Sequence, residues 1–245
     1  MFKDFDACTA WTDAMQERCQ PVGLILYQPK RRGAAVRMLW VVTPGCSCLS
    51  DAETAADNLL QRITDIAADG RVREAHPVQR IDVDTSGLVL FSLAPEFQAA
   101  VDAQVADGSM EKVYLTLLAG TVDRELTVER PVGRDRHDAR RMYVGAGRPA
   151  LTRVSPVAPV RLSGGREATL CTASISTGRR HQIRAHAAWA GHPVVGDRLY
   201  GGPAADGLML HAWREAFTHP LTGQRVRVEA PVPARMARLM PEGAL

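Results

Sequence analysis

Short apolar runs separated by polar turns make up most of the chain. Gly23-Leu-Ile-Leu-Tyr27 and Met38-Leu-Trp-Val-Val42 flank the basic turn Lys30-Arg-Arg-Gly33 and read as strands. Residues 1 to about 20 carry no clear period and read as an irregular or helical leader. A helix is predicted from Ser50: its spacing to Glu53 is that of a capping box, Leu59, Leu60, Ile63 and Ile66 recur on one face, and Gly70 sits where a C-terminal cap belongs. The polar turn 79–87 leads into the strand Leu88-Val-Leu-Phe91. Pro95 opens a short helix closed near Gly108, and residues 113–118 form a strand. Residues 129–149, rich in Arg, Gly and Pro without a period, read as a long irregular segment. Residues 168–175 alternate as a strand does, Arg179 to Ala190 is a helix stopped by Gly191, and Arg225-Val-Arg-Val228 is a final strand. Strands and helices interleave without regular βαβ alternation. The expected class is α+β, with a mixed, largely antiparallel central sheet flanked by helices and loops.

The 245 residues suit one large domain or two intimately packed halves. With 46% apolar and 23% charged residues the chain is ordinary for a globular protein, which excludes disorder as its main state. No apolar run approaches the ~18 residues that span a bilayer. Asp4, Asp6, Asp13 and Glu17 interrupt the stretch a signal peptide keeps apolar. Cys8, Cys19, Cys46, Cys48 and Cys171 are an odd, scattered set, which argues for reduced thiols in a cytoplasm rather than a disulfide framework. The net charge is only +3, yet 27 of the 30 basic residues are arginines. Arginine matches phosphate with a rigid two-donor fork. Genome composition produces the same bias, so clustering carries the information.

Three places hold chemistry. Asp82 stands in a tight polar turn directly before a strand, followed by Asp84, Thr85, Ser86 and Gly87; an ordinary turn uses the same residue types. In Ser176-Thr-Gly-Arg-Arg-His-Gln-Ile-Arg-Ala-His186, His181 and Arg184 share a helix face, while His186 points about 140° away from His181. That spacing suits a metal pair poorly, since such histidines stand four apart. A solvated basic helix and an inward-facing Arg184 acting as a counter-ion both remain open. The stretch Gly133-Arg-Asp-Arg-His-Asp-Ala-Arg-Arg141, with Arg148 beyond it, is either a solvated loop or a loop that tracks phosphates. Arg179 and Arg180 tip the balance towards an anionic polymer.

Taken together, these segments resemble the RluA family of RNA pseudouridine synthases. Gln79-Arg-Ile-Asp-Val-Asp-Thr-Ser-Gly-Leu88 resembles the family's catalytic loop, and Lys112-Val-Tyr-Leu-Thr-Leu-Leu-Ala-Gly120 its Lys-x-Tyr strand. Pro131-Val-Gly-Arg134 and Gly147-Arg-Pro-Ala-Leu-Thr152 resemble the middle segment. Residues 177–186 and 191–200 resemble the Arg-bearing motif and its sequel, and Leu210-His-Ala-Trp213, His219-Pro-Leu-Thr-Gly223 and Ala230-Pro-Val-Pro233 the close. The likeness covers about residues 38–234, in order. Gln79 stands where the family usually has His, and Thr43-Pro-Gly-Cys46 replaces an early Lys-Pro-x-Gly element.

The resemblance implies a catalytic domain over residues 36–245, with 1–35 an unmatched N-terminal leader and first strand. It implies isomerisation of uridine to pseudouridine in structured rRNA or tRNA, without cofactor or metal; a cytoplasmic monomer with no obligate protein partner is expected. Asp82 is the implied essential carboxylate, Arg184 its guanidinium partner and Tyr114 the aromatic against the target ring. Arg80, Thr85, Ser86, Gly87, His181 and Gln182 are expected to contact substrate. Arg134, Arg136, Arg140, Arg141, Arg179 and Arg180 are expected to grip phosphates. Two rivals remain: a non-catalytic RNA-binding relative of the synthases, and a zinc hydrolase built on His181, His186 and His192.

Overall fold

The computed structural model describes residues 2–4, 8–17, 20–29, 37–41, 50, 53–54, 57–58, 76–92 and 95–245. The chain divides into two compact units, Met1–Glu74 and Ala75–Leu245. In the first, β1 (Phe2–Asp4), β2 (Cys8–Glu17), β3 (Gln20–Pro29) and β4 (Arg37–Val41) form a four-stranded antiparallel sheet in that order. The two expected strands at 23–27 and 38–42 fall in β3 and β4. The leader is not irregular or helical: β2 and β3 pair in register over ten residues, from Cys8–Pro29 to Glu17–Gln20. Backbone pairing to a neighbour, rather than a period within the segment, organises it. The expected helix after Ser50 is helical at Ser50, Glu53, Thr54, Asp57 and Asn58; the rest of that expectation, with Thr43–Cys46, lies outside the described residues.

The second unit is built on a seven-stranded sheet. Its elements run β5 (His76–Pro77), β6 (Ser86–Gly87), β7 (Phe91–Ser92), α1 (Pro95–Asp107), β8 (Glu111–Ala119), β9 (Leu126–Glu129), β10 (Val132–Arg134), β11 (Met142–Val144), β12 (Leu151–Arg161), β13 (Glu167–Ile175), α2 (Gln182–Trp189), β14 (Leu210–Thr218), β15 (Arg225–Glu229) and α3 (Ala234–Ala237). The sheet order is β15-β14-β8-β13-β12-β9, with β6 adding to β14 as the one parallel pair among the described ladders. The α+β class with a mixed, largely antiparallel sheet is thus what the chain adopts.

β8 occupies the middle because Val113-Tyr-Leu-Thr-Leu-Leu118 is nearly continuous in apolar residues and buries both faces. Tyr114 and Leu118 pack on one side with Val154, Ala173, Ile183 and Leu210. Leu115 and Leu117 pack on the other with Leu170, Val195, Met209 and Trp213. The single polar residue inside the run, Thr116, is satisfied by donating to Met209 O at 3.0 Å.

Three local expectations change: the helix expected from Arg179 begins only at Gln182, with His181 before it in the left-handed region. Residues 88–91 do not form one strand: Gly87 pairs with Ala212 and Phe91 with Pro77, so the chain hands over from one partner to another. The segment 129–149 is not wholly irregular, since β10 and β11 form a short ladder from Val132–Val144 to Arg134–Met142.

Candidate active site

The Asp82 loop is fastened at both ends. At its start, Val78 N–H donates to Leu90 O; at its tip, Thr85 N–H donates to Asp82 O, both at 2.9 Å. At its end, Ser86 and Gly87 pair with His211 and Ala212 of β14, and Leu88 N–H donates to Ala212 O. Gly87 has φ +112°, and a Cβ there would lie 2.1 Å from Ala212 O, so only glycine permits the approach. Arg235 Nη2 donates to Ser86 Oγ at 2.9 Å, and the same hydroxyl is hydrogen-bonded with His211 Nδ1, also at 2.9 Å. Burial and the Arg235 charge push the His211 pKa down to about 4, which favours the neutral ring.

Arg184 projects from the first turn of α2 and is only 5% exposed. Its Nε and Nη2 hold Asp197 at 2.7 and 2.9 Å, and its Nη1 reaches Asp82 Oδ2 at 3.3 Å. Asp197, also buried, accepts the backbone N–H groups of Leu199 and Tyr200 on Oδ1. Burial opposes the charge on Arg184, but Asp197 and Asp82 outweigh it and hold the guanidinium's pKa above its usual value. The turn presenting Asp197 needs Gly196, with φ +84° and a Cβ position 1.8 Å from Gly207 O.

His181 precedes α2 in the left-handed region, at φ 52°, which places a strained non-glycine residue at the cleft. Its ring meets Tyr200 edge-on, and its Nδ1 lies 3.1 Å from Tyr200 Oη. That oxygen also accepts Met142 N–H at 2.7 Å. Burial presses the His181 pKa down, while Asp82 pulls it up.

Asp82, His181 and Arg184 line a cleft of about 670 Å³. Tyr114 lies in its wall, its phenol pKa raised by burial and by the charges of Glu215 and Asp82. Thr85 lines it too, its hydroxyl buried and with no hydrogen-bond partner among the described residues. Lys112 and Glu215, 3% and 5% exposed, stand opposite each other on β8 and β14. Burial raises the Glu215 pKa to about 7, against the Gln79 hydrogen bond and Lys112; burial likewise lowers that of Lys112.

Of the residues expected at the site, Arg80, Asp82, Thr85, Tyr114, Arg179, Arg180, His181, Gln182 and Arg184 all line the cleft. Ser86 and Gly87 lie on the β14 side of the loop instead. Gln182 spends its whole capacity internally, accepting from Thr177 Oγ1 and Arg179 N–H and donating to Leu151 O and Thr152 Oγ1. Arg140 closes on Asp138 within its own loop, Arg180 donates to Ala139 O and Arg140 O across the same loop, and Arg141 sits 5.2 Å over Tyr200. Arg134 and Arg136 are exposed. His186 uses both ring nitrogens on Thr152 and Arg130 O, and His192 Nδ1 meets Ala119 O, so the three histidines of the zinc alternative face different partners. Asp197 and Glu215 are the residues that sequence reasoning missed. Asp197 lies within residues 191–200, a segment that resembles the family; nothing in the sequence marks Glu215.

The RNA pseudouridylate synthase family model matches residues 42–189. Ribosomal large subunit pseudouridine synthase D of Nitrosomonas europaea is 35% identical over 182 residues, 69% of this chain and 52% of that protein. An uncharacterized RNA pseudouridine synthase of Bacillus subtilis is 35% identical over 175 residues, covering 69% of this chain and 57% of its own length. The chain thus spans somewhat over half the length of these relatives. The solved structure of human RNA Pseudouridylate Synthase Domain Containing 1 aligns with a TM-score of 0.59 over 89% of this chain and 82% of that one, at 21% identity, and so shares the fold. With a matched family model covering more than half its residues, the chain belongs to the RNA pseudouridylate synthase family.

Proposed function

We propose that this chain converts uridine to pseudouridine in structured RNA, with Asp82 as the essential carboxylate. Supporting this is the placement of Asp82 3.3 Å from a buried guanidinium, in a cleft walled by Tyr114. In the isomerisation the N1–C1′ bond breaks, the base turns, and a C5–C1′ bond forms; the proton leaves C5 and N1 gains one. The reaction is redox-neutral and transfers no phosphoryl group, so its chemistry calls for no cofactor. Attack on the sugar and removal of a sugar proton both need the ionised acid, and the Arg184 charge offsets the cost of keeping it in a partly dry cleft.

Tyr114 offers a face for the extracted base, where stacking is worth ~1–3 kcal/mol against the cost of unstacking. The Thr85 hydroxyl and the His181 imidazole offer it polar partners. Arg80, Arg179 and Arg180 at the cleft, with Arg134, Arg136, Arg140 and Arg141 beyond, supply the phosphate grip. Ribosomal RNA is the favoured target, because relatives of this chain are named for the large ribosomal subunit. Transfer RNA is the other candidate. The enzyme acts in the cytoplasm as a monomer in this reading; among the described residues no helix is long and apolar enough to cross a membrane.

Mapping pseudouridines in total RNA from cells with and without the gene product tests the proposal. Sites lost on deletion and restored by the wild-type chain, but not by Asp82→Asn, are the expected result. An unchanged map would refute it, and restoration by Asp82→Asn would show that Asp82 is not the essential carboxylate.

A further inference from the structure

β14 does not run regularly past the active site. Leu210, His211 and Ala212 stand opposite Thr116, Leu115 and Tyr114, but the register then shifts between Ala212 and Arg214. In an unbroken strand Ala212 and the residue two further on share a face. Here the extra residue places Arg214 opposite Val113 and Glu215 opposite Lys112, the two-residue neighbour of Tyr114. The bulge therefore moves an acid onto the face that carries Tyr114, and bulges beside active sites commonly re-aim a side chain in this way. Arg214, displaced from that face, lies exposed over Trp213 at 3.5 Å and bonds Glu229 at 2.7 Å.

Burying an acid is costly unless it is hydrogen-bonded or paired. Glu215 meets two groups there. Gln79 Nε2 donates to its Oε1, and Lys112 faces it across the ladder. Tyr114, also on β8, lies within its electrostatic reach as well. The Glu215 bond is the one described for the Gln79 side chain, whose Oε1 is buried without a partner among the described residues. A carboxylate opposite Nε2 thus decides which way the Gln79 amide lies, and Gln79 is three residues before Asp82.

We infer that Glu215 is a positioning residue of the synthase, delivered by the β14 bulge to anchor Gln79 and so hold the start of the Asp82 loop over the cleft. The inference rests on the synthase reading for its catalytic consequence, whereas the anchoring itself can be read without any activity.

The test compares the full chain with Glu215→Leu, Glu215→Gln, Gln79→Leu and the Glu215→Leu/Gln79→Leu pair. Two measurements are made: amide hydrogen exchange by mass spectrometry, and single-turnover pseudouridine formation on total RNA from cells lacking the gene. Glu215→Leu should raise exchange in residues 78–85 about tenfold while β8 and β13 keep their protection. Its rate at saturating enzyme should fall about tenfold, with the half-saturating concentration within twofold of wild type. Glu215→Gln, which keeps an acceptor, should stay within about threefold, and the double variant should be no worse than either single. Wild-type rate and loop protection in Glu215→Leu would overturn the inference. So would protection lost equally from β8 and β13, or Glu215→Gln as impaired as Glu215→Leu. A wild-type chain inactive on every RNA would instead remove the synthase reading, with the exchange measurement still deciding the anchor.

Discussion

Arg184 and Asp197 form a two-point ion pair at 2.7 and 2.9 Å, both side chains almost wholly buried. This pair consumes the guanidinium edge formed by Nε and Nη2 and leaves Nη1 directed at Asp82. The counter-ion of the candidate catalytic acid is therefore itself held by a second acid, which fixes its direction before any substrate arrives.

Asp197→Ala should be severely damaging. It leaves a buried guanidinium without its main partner and strands the N–H groups of Leu199 and Tyr200. Breaking a buried pair from one side costs about 3–5 kcal/mol. Denaturant unfolding should show a loss of that order; a change below 1 kcal/mol would show that the pair does not hold the fold.

Arg184→Lys should not be neutral, although the charge is kept. An ammonium is a point donor and cannot span Asp197 in two places while also reaching Asp82. Pseudouridine formation should fall at least about tenfold, and a wild-type rate would contradict the proposed role of the guanidinium.

Much of this site was legible from the sequence because its parts are local. The Asp82 loop, the Lys112–Tyr114 strand and the Arg184 helix each announce themselves over ten residues. What was not legible depends on distant partners. Asp197 gains its meaning only when its turn meets α2, and Glu215 only through a bulge whose register is set by β8. β12 was hidden for a related reason, since Pro156 and Pro159 argue against a strand.

Stability should depend on pH through Glu215. Its ordinary pKa of 4.5 is raised to about 7 in the fold, so the folded state binds its proton more tightly. The stabilisation is complete below pH 4.5 and is lost as pH rises through about 7, a span of up to about 3 kcal/mol. His211 works in the opposite sense: with its pKa lowered from 6.5 to about 4, its contribution is present above 6.5 and lost on acidification. Removing the acid by Glu215→Gln should leave His211 unopposed. The variant's unfolding midpoint should drop more steeply than wild type between pH 7 and 4.5, and parallel profiles would refute the assignment.

Gly87→Ala should uncouple the Asp82 loop from β14. An added methyl would meet Ala212 O at 2.1 Å in a backbone conformation that alanine disfavours, so β6 must detach or shift. Hydrogen exchange at Leu88, whose N–H donates to Ala212 O, should rise, and pseudouridine formation should fall with it. Unchanged protection at Leu88 would show that the close approach is not needed.

The central claim is that the Asp82 carboxylate performs the chemistry. The most direct measurement is the conversion of uridine to pseudouridine by the purified chain and by Asp82→Asn, on RNA from cells lacking the gene, at saturating enzyme. The account predicts site-specific pseudouridine from the wild type and none above background from Asp82→Asn, which still binds the RNA. Conversion by Asp82→Asn at the wild-type rate, or none by either chain on any RNA, would contradict it.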